Sequence, residues 1–81
     1  MANVDLVFFA GAAAAMGTKE MSVEADTIAQ ALETAAAAGN EQATTVLSRC
    51  SVLLNSVSCA DLNTPLKAAD RVDVLPPFAG G

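Results

Sequence analysis

Histidine, tryptophan and tyrosine are absent from this 81-residue chain, and only four residues are basic. Without histidine there is no Ser-His or Cys-His pair to activate a nucleophile. Lys19, Arg49, Lys67 and Arg71 are scattered, so no basic patch tracks phosphates, and stacking tyrosine or tryptophan is missing. Nucleic acid is therefore not an expected partner. The two cysteines, Cys50 and Cys59, cannot complete a tetrahedral zinc site or hold an iron–sulfur cluster. They read instead as small buried or half-buried hydrophobes in a reducing compartment. Gly11 and Gly17 are isolated, so no glycine loop is available to cradle a phosphate. Asp70 and Asp73 read as solvated charges, one in a turn and one pointing outward from a strand.

The apolar run over residues 6–16 lacks a basic segment before it, and Asp5 precedes it directly. Export is not expected from such a pattern, and the run is too short to cross a bilayer as a helix. The expected location is the cytoplasm, with no membrane partner. What the chain does have in quantity is alanine. Eighteen alanines inflate a hydrophobic content of 53% while burying little area. One domain with a small core follows, in which each buried Val, Leu, Ile or Phe contributes roughly 1.5–3 kcal/mol. A net charge of −5 suits docking on a basic protein surface.

Periodicity places the elements. Val4, Leu6 and Phe8 line one face of a strand over residues 4–9, and Val7 with Phe9 makes the other face apolar too, which predicts a central strand. Residues 10–16 form a short helical turn stopped by Gly17, and a more polar strand over 18–23 lies nearer an edge. Ile28, Ala31, Leu32 and Ala35 make the buried stripe of a main helix over 26–38, with Asp26 or Thr27 as cap and Thr27/Gln30 at capping-box spacing. A short helix or turn over 41–48 precedes a strand over 51–54. Residues 55–61 are ambiguous, with Val57 and Cys59 facing one way on a brief edge strand. After Thr64-Pro65 the chain turns, Leu66 plugs into the core, and residues 67–70 turn again.

The last eleven residues, RVDVLPPFAGG, are the most specific stretch. Val72 and Val74 alternate with Arg71 and Asp73 as in a half-buried strand. Pro76 and Pro77 lack N–H donors and end the ladder in an extended exit. Phe78 follows as an apolar residue beyond the strand, and Ala79, Gly80 and Gly81 make a thin stalk without bulky side chains. Such a stalk fits a narrow active site of another protein, with the prolines lowering the cost of ordering it. The division is a body over 1–75 and a tail over 76–81.

The run VDVLPPFAGG resembles the C-terminus of the small subunit of molybdopterin synthase (the MoaD type), within the ubiquitin-like sulfur carriers. VDLVFFA at 4–10, SVEADTIAQALE at 22–33, VLLN at 52–55 and NTPLKAADRVDV at 63–74 extend the resemblance over nearly the whole chain. It implies an α+β β-grasp (ubiquitin-like) roll, a mixed sheet of 4–5 strands with one main helix across it, the first and last strands parallel at its centre. It implies that the chain is no enzyme on its own but the sulfur-carrying subunit of a transferase. The reactive group is then the Gly81 carboxylate, adenylated and converted to a thiocarboxylate that gives sulfur to cyclic pyranopterin monophosphate (precursor Z) in molybdenum cofactor biosynthesis. No cofactor is bound stably; ATP is consumed by the activating partner. Implied partners are the large subunit (MoaE-type), a ubiquitin-activating-type adenylyltransferase (MoeB-type) and a sulfur donor enzyme. Leu75, Pro76, Pro77 and Phe78 are the implied partner-binding residues.

Two departures stand out. Residues 10–16 are AGAAAAM where relatives often carry an Arg-Glu pair, and Ala69-Asp70 stands where Gly-Asp is common. If the latter turn needs positive φ, Ala69 costs about 1 kcal/mol or more. The alternatives are a carrier for thiazole synthesis, tRNA thiolation or protein tagging, and a β-grasp adaptor without chemistry. An acyl carrier protein is a poorer fit, because no Asp-Ser-Leu triplet is present.

Overall fold

The computed structural model describes residues 2–76. Five strands and three helices follow one another as β1 (Ala2–Phe8), α1 (Gly11–Met16), β2 (Glu20–Ala25), α2 (Ile28–Ala38), α3 (Ala43–Arg49), β3 (Ser51–Leu54), β4 (Val57–Ser58) and β5 (Arg71–Leu75). The strands form one sheet in the order β2-β1-β5-β3-β4. β1 and β5 run parallel, and every other neighbouring pair is antiparallel. This is the β-grasp roll that the family resemblance implies, with the more polar β2 at one edge, as its composition suggests.

Alternation along the strands creates the core. Val4, Leu6 and Phe8 of β1, Val23 and Ala25 of β2, Val52 of β3, and Val72 and Val74 of β5 are all buried on one face. α2 covers that face with the predicted stripe of Ile28, Ala31, Leu32 and Ala35. α1 adds Ala12 and Met16, and α3 adds Ala43 and Leu47. Small alanines at these contacts let three helices crowd onto a narrow sheet.

Local chemistry sets the ends. α2 begins two residues later than its predicted start, because Thr27 is the cap: its Oγ1 accepts from the Gln30 N–H at 3.2 Å. Gln30 Oε1 reaches back to accept from the Asp26 N–H at 2.7 Å. Gly17, at φ 72°, closes α1 by donating to the Ala13 carbonyl at 2.9 Å. The ambiguous stretch after β3 resolves into a tight hairpin, with Asn55 and Ser56 both at positive φ between Leu54 and Val57.

Two expectations need correction or completion. Asp73 is not a solvated charge: it lies on the outer face of β5, only 6% exposed, with the Arg71 Nε donating to its Oδ1 at 2.7 Å. A strand in the sheet interior shields both faces, and its flanking neighbours by register are Val7 and Leu53. Ala69 does take positive φ, 69°, where its N–H donates to the Asn3 carbonyl at 3.0 Å.

Candidate functional site

β5 is the strand from which the tail departs, and it is held on both sides. On one side the Phe9 N–H donates to the Val74 carbonyl at 3.1 Å, and on the other Ser51 pairs with Leu75. A base hydrogen-bonded on two edges positions the chain leaving it better than a loop would. Pro76 comes next and is fully buried, so the first residue assigned to the tail is part of the body's packing. Pro77, Phe78, Ala79, Gly80 and Gly81 lie outside the described residues.

Leu75, assigned to partner binding from the sequence, is half-buried at the end of β5 on the sheet's outer face. Register places Val7 and Leu53 on that same face, each opposite Asp73. Phe9, one residue beyond β1, continues the ladder beside Leu75 and is 37% exposed. The outer face therefore carries an apolar cluster of Val7, Phe9, Leu53 and Leu75 around the Arg71–Asp73 pair. Sequence reasoning does not single out Phe9 and Leu53 for docking. The signal is present in the apolar Val7 and Phe9 of β1, which the sequence explains by a central strand alone.

Toward β2 the same face turns acidic. Asp5 pairs with Ser22, whose Oγ donates to Asp5 Oδ1 at 2.9 Å, and Glu20 and Glu24 stand on the same side of the edge strand. An apolar centre with an acidic flank has the make-up of a surface that docks a basic protein partner.

Elsewhere the described residues hold little that could react. A cleft of about 240 Å³ lies between α2 and α3, lined by Ala29, Leu32, Ala36 and Leu47 among others. Its lining also includes Glu33, Thr44, Ser48 and Cys50, with no histidine to activate a hydroxyl or thiol. Asp70 accepts from the Asn55 side chain at 3.0 Å and the Lys67 N–H at 2.8 Å, and these donors hold its carboxyl below the ordinary range. Those bonds fasten a turn. Burial pushes the Cys50 thiol up, away from the thiolate form a nucleophile needs. Among the described residues no group of three or more His, Cys, Asp or Glu side chains is arranged to hold a metal ion. No helix among them is long and apolar enough to cross a membrane.

Comparison with known proteins agrees with this geometry. No curated protein sequence matches the chain at a significant level. Among solved structures, SAMP1 of Haloferax volcanii, a small archaeal modifier protein, is 25% identical with a TM-score of 0.81, covering 98% of this chain and 99% of its own. A chain from the complex of subunits 1 and 2 of molybdopterin-converting factor from Helicobacter pylori is similar at 27% identity and a TM-score of 0.69, covering 98% of this chain and 99% of that one. A putative molybdopterin-converting factor subunit 1 from Pyrococcus furiosus shares the fold, with a TM-score of 0.83 at 18% identity over 95% and 99% of the two chains. The model of the ThiS family matches residues 6–81. Matched over residues 6–81, this chain belongs to the ThiS family, and its described residues have the fold of the ubiquitin-like sulfur carriers.

Proposed function

We propose that the protein is the sulfur-carrying small subunit of a molybdopterin synthase. The observation that carries this reading is the joining of a Gly-Gly tail to a strand gripped on both edges, beside an apolar, acid-flanked face. That face suits a larger subunit that docks the body while the tail enters its active site. The likeness to a chain of the two-subunit Helicobacter pylori complex supports a partner of this kind.

Chemistry at the tail follows from the carboxylate. A free carboxylate is a poor acyl electrophile, since it is anionic and lacks a leaving group. An adenylyltransferase of the ubiquitin-activating type joins Gly81 to AMP and expels pyrophosphate from ATP. Sulfur supplied by a donor enzyme displaces AMP, leaving a thiocarboxylate. Within the synthase this sulfur passes to precursor Z, and two loaded carriers are consumed for each dithiolene. The body contributes no acid or base; it binds, aims the tail and returns for reloading.

A second reading is protein tagging, in which Gly81 is passed to an amine of another protein. It is favoured by the likeness to SAMP1 from Haloferax volcanii. One experiment separates the two. The full chain is incubated with ATP, an adenylyltransferase of this type and a sulfur donor, then analysed by intact mass. Exchange of one oxygen for sulfur within the C-terminal peptide is expected. The loaded protein is next offered precursor Z with the large subunit, or lysine-bearing acceptor proteins. Dithiolene formation supports the carrier; branched peptides without dithiolene would replace it by the tag; an unloaded tail would overturn both.

A further inference from the structure

A second site lies at the β4 edge of the sheet, opposite β2, on the helix side of β3 rather than on the outer face that carries Leu53. Cys50 directly precedes β3 and Cys59 directly follows β4. The Cys59 N–H donates to the Val52 carbonyl at 3.1 Å, which extends the β3–β4 register by one pair. Cys59 thus stands opposite Val52, and Cys50, the extended residue that caps α3, lies two residues before Val52. Side chains two apart share a face, so both thiols project to the helix side, where both pack against the core. Both also line one cavity of about 280 Å³, with Val52, Ser58, Ala60 and Leu62.

Their spacing decides what such a pair can hold. They are diagonal neighbours across an antiparallel pair, a separation of about 7 Å. A disulfide needs the two Cβ atoms roughly 3.5–4.5 Å apart, which is too close for this register. An ion between two sulfurs adds two metal–sulfur bonds of roughly 2.3 Å each and fills the gap. Each thiol now rests only on weak oxygen acceptors. Cys50 Sγ is 3.2 Å from the Val46 carbonyl oxygen, and Cys59 Sγ is 3.3 Å from Thr64 Oγ1 and 3.6 Å from the Asp61 carbonyl oxygen.

We infer that Cys50 and Cys59 form a two-coordinate site for a soft monovalent metal ion of the copper(I) class. Two thiolates without a third nitrogen, sulfur or carboxylate ligand leave tetrahedral zinc incomplete, whereas soft sulfur ligands select monovalent copper. On binding, each thiol releases one proton to solvent and no electron moves. One cation and two thiols become one bis-thiolate complex of charge −1 and two protons. Because the ion displaces both thiol protons, affinity rises with pH.

The test is an anaerobic titration of the full chain with copper(I) buffered by bathocuproine disulfonate, read by thiolate-to-copper absorption in the ultraviolet. One ion per monomer is expected, with both thiols then protected from iodoacetamide. Cys50→Ser and Cys59→Ser should each weaken binding by at least about 100-fold, the upper range for a merely supporting residue. Circular dichroism confirms that each variant is folded, and Cys50→Ala replaces Cys50→Ser if the hydroxyl proves disruptive. Wild-type affinity in either single variant would overturn the site. So would one ion per two chains, or ready closure of an intramolecular disulfide by a small-molecule disulfide, since the sulfurs would then lie at bonding distance.

Discussion

Arg71 and Asp73 lie two residues apart on the outer face of β5, and the Arg71 Nε donates to Asp73 Oδ1 at 2.7 Å. The arginine side chain is 54% exposed and the aspartate only 9%. The pair is therefore asymmetric: the carboxylate is nearly dry and the cation brings the solvent contact. Removing the arginine strands a charge, while removing the carboxylate leaves an arginine that water can serve. Arg71→Ala should cost about 1–3 kcal/mol, the range for a lost hydrogen bond to a charged group. Asp73→Val should stay within about 1 kcal/mol of the native protein, because a β-branched residue suits the position between Val7 and Leu53. Urea denaturation of both variants checks the asymmetry, and equal losses would contradict it.

Two alanines occupy backbone that favours glycine. Ala10, at φ 48° and ψ −123°, links β1 to α1, and Ala69, at φ 69°, precedes the last strand. Ala10→Gly and Ala69→Gly should each stabilise the protein by about 1 kcal/mol, relief of the left-handed strain outweighing the entropy of glycine in the unfolded chain. A rise in the urea midpoint at constant slope is the expected result.

Gly39 is different, since its φ of −87° is open to any residue. Space is what excludes a side chain there. A Cβ would come within 2.5 Å of the Ala43 Cβ and 2.9 Å of the Met16 Sδ. The methionine end can swing away, but the alanine Cβ is fixed to the backbone of α3. Gly39→Ala should cost about 1–3 kcal/mol. Adding Ala43→Gly should recover part of that loss, whereas simple additivity of the two would show that the clash is not the cause.

Asp70 predicts a pH dependence. The Asn55 side chain and the Lys67 N–H, with the Lys67 charge behind them, lower its pKa in the folded state. A carboxyl depressed by folding stabilises above its unfolded value of about 3.9, and that contribution is lost as pH falls through the folded value. Asn55→Ala removes the largest of these influences. Carboxyl carbon chemical shifts should then follow Asp70 titrating closer to the ordinary range, and the protein should depend less steeply on acid below about pH 4. An Asp70 titration unmoved by the substitution would refute the assignment.

Docking is testable on the outer face. Phe9→Ser and Leu75→Ser should weaken binding to the large subunit by about tenfold or more, with Phe78→Ala weakening it from the tail. Phe9 is 37% exposed just beyond the end of β1, so Phe9→Ser should leave stability within about 1 kcal/mol. Calorimetry on folded variants reads the effect, and unchanged affinity for Phe9→Ser would remove that face from the interface.

Much of the fold is legible in the sequence because local rules agree. The capping pair Thr27/Gln30, the stripe from Ile28 to Ala35, Gly17 after α1 and the alternation at Val72 and Val74 all describe the element that forms. The hairpin at Asn55-Ser56 escapes such reading, because serine is a poor signal for the second positive-φ position of such a turn. Asp73 is misjudged for a different reason. Alternation gives the face of a strand correctly, but it carries no information about whether that face is open.

By itself, the chain's order of residues determined the main helix and the first, third and last strands, which sides of them are apolar, and that no histidine-based nucleophile pair exists. Only the tertiary structure decided that β5 lies between β1 and β3, since side-chain periodicity is blind to strand order. That placement dries Asp73 and gathers Phe9, just beyond β1, with Leu53 of β3 and Leu75 of β5 into one face. Each of these depends on neighbours distant in sequence, which hydrogen-bonded register brings together and no local pattern encodes.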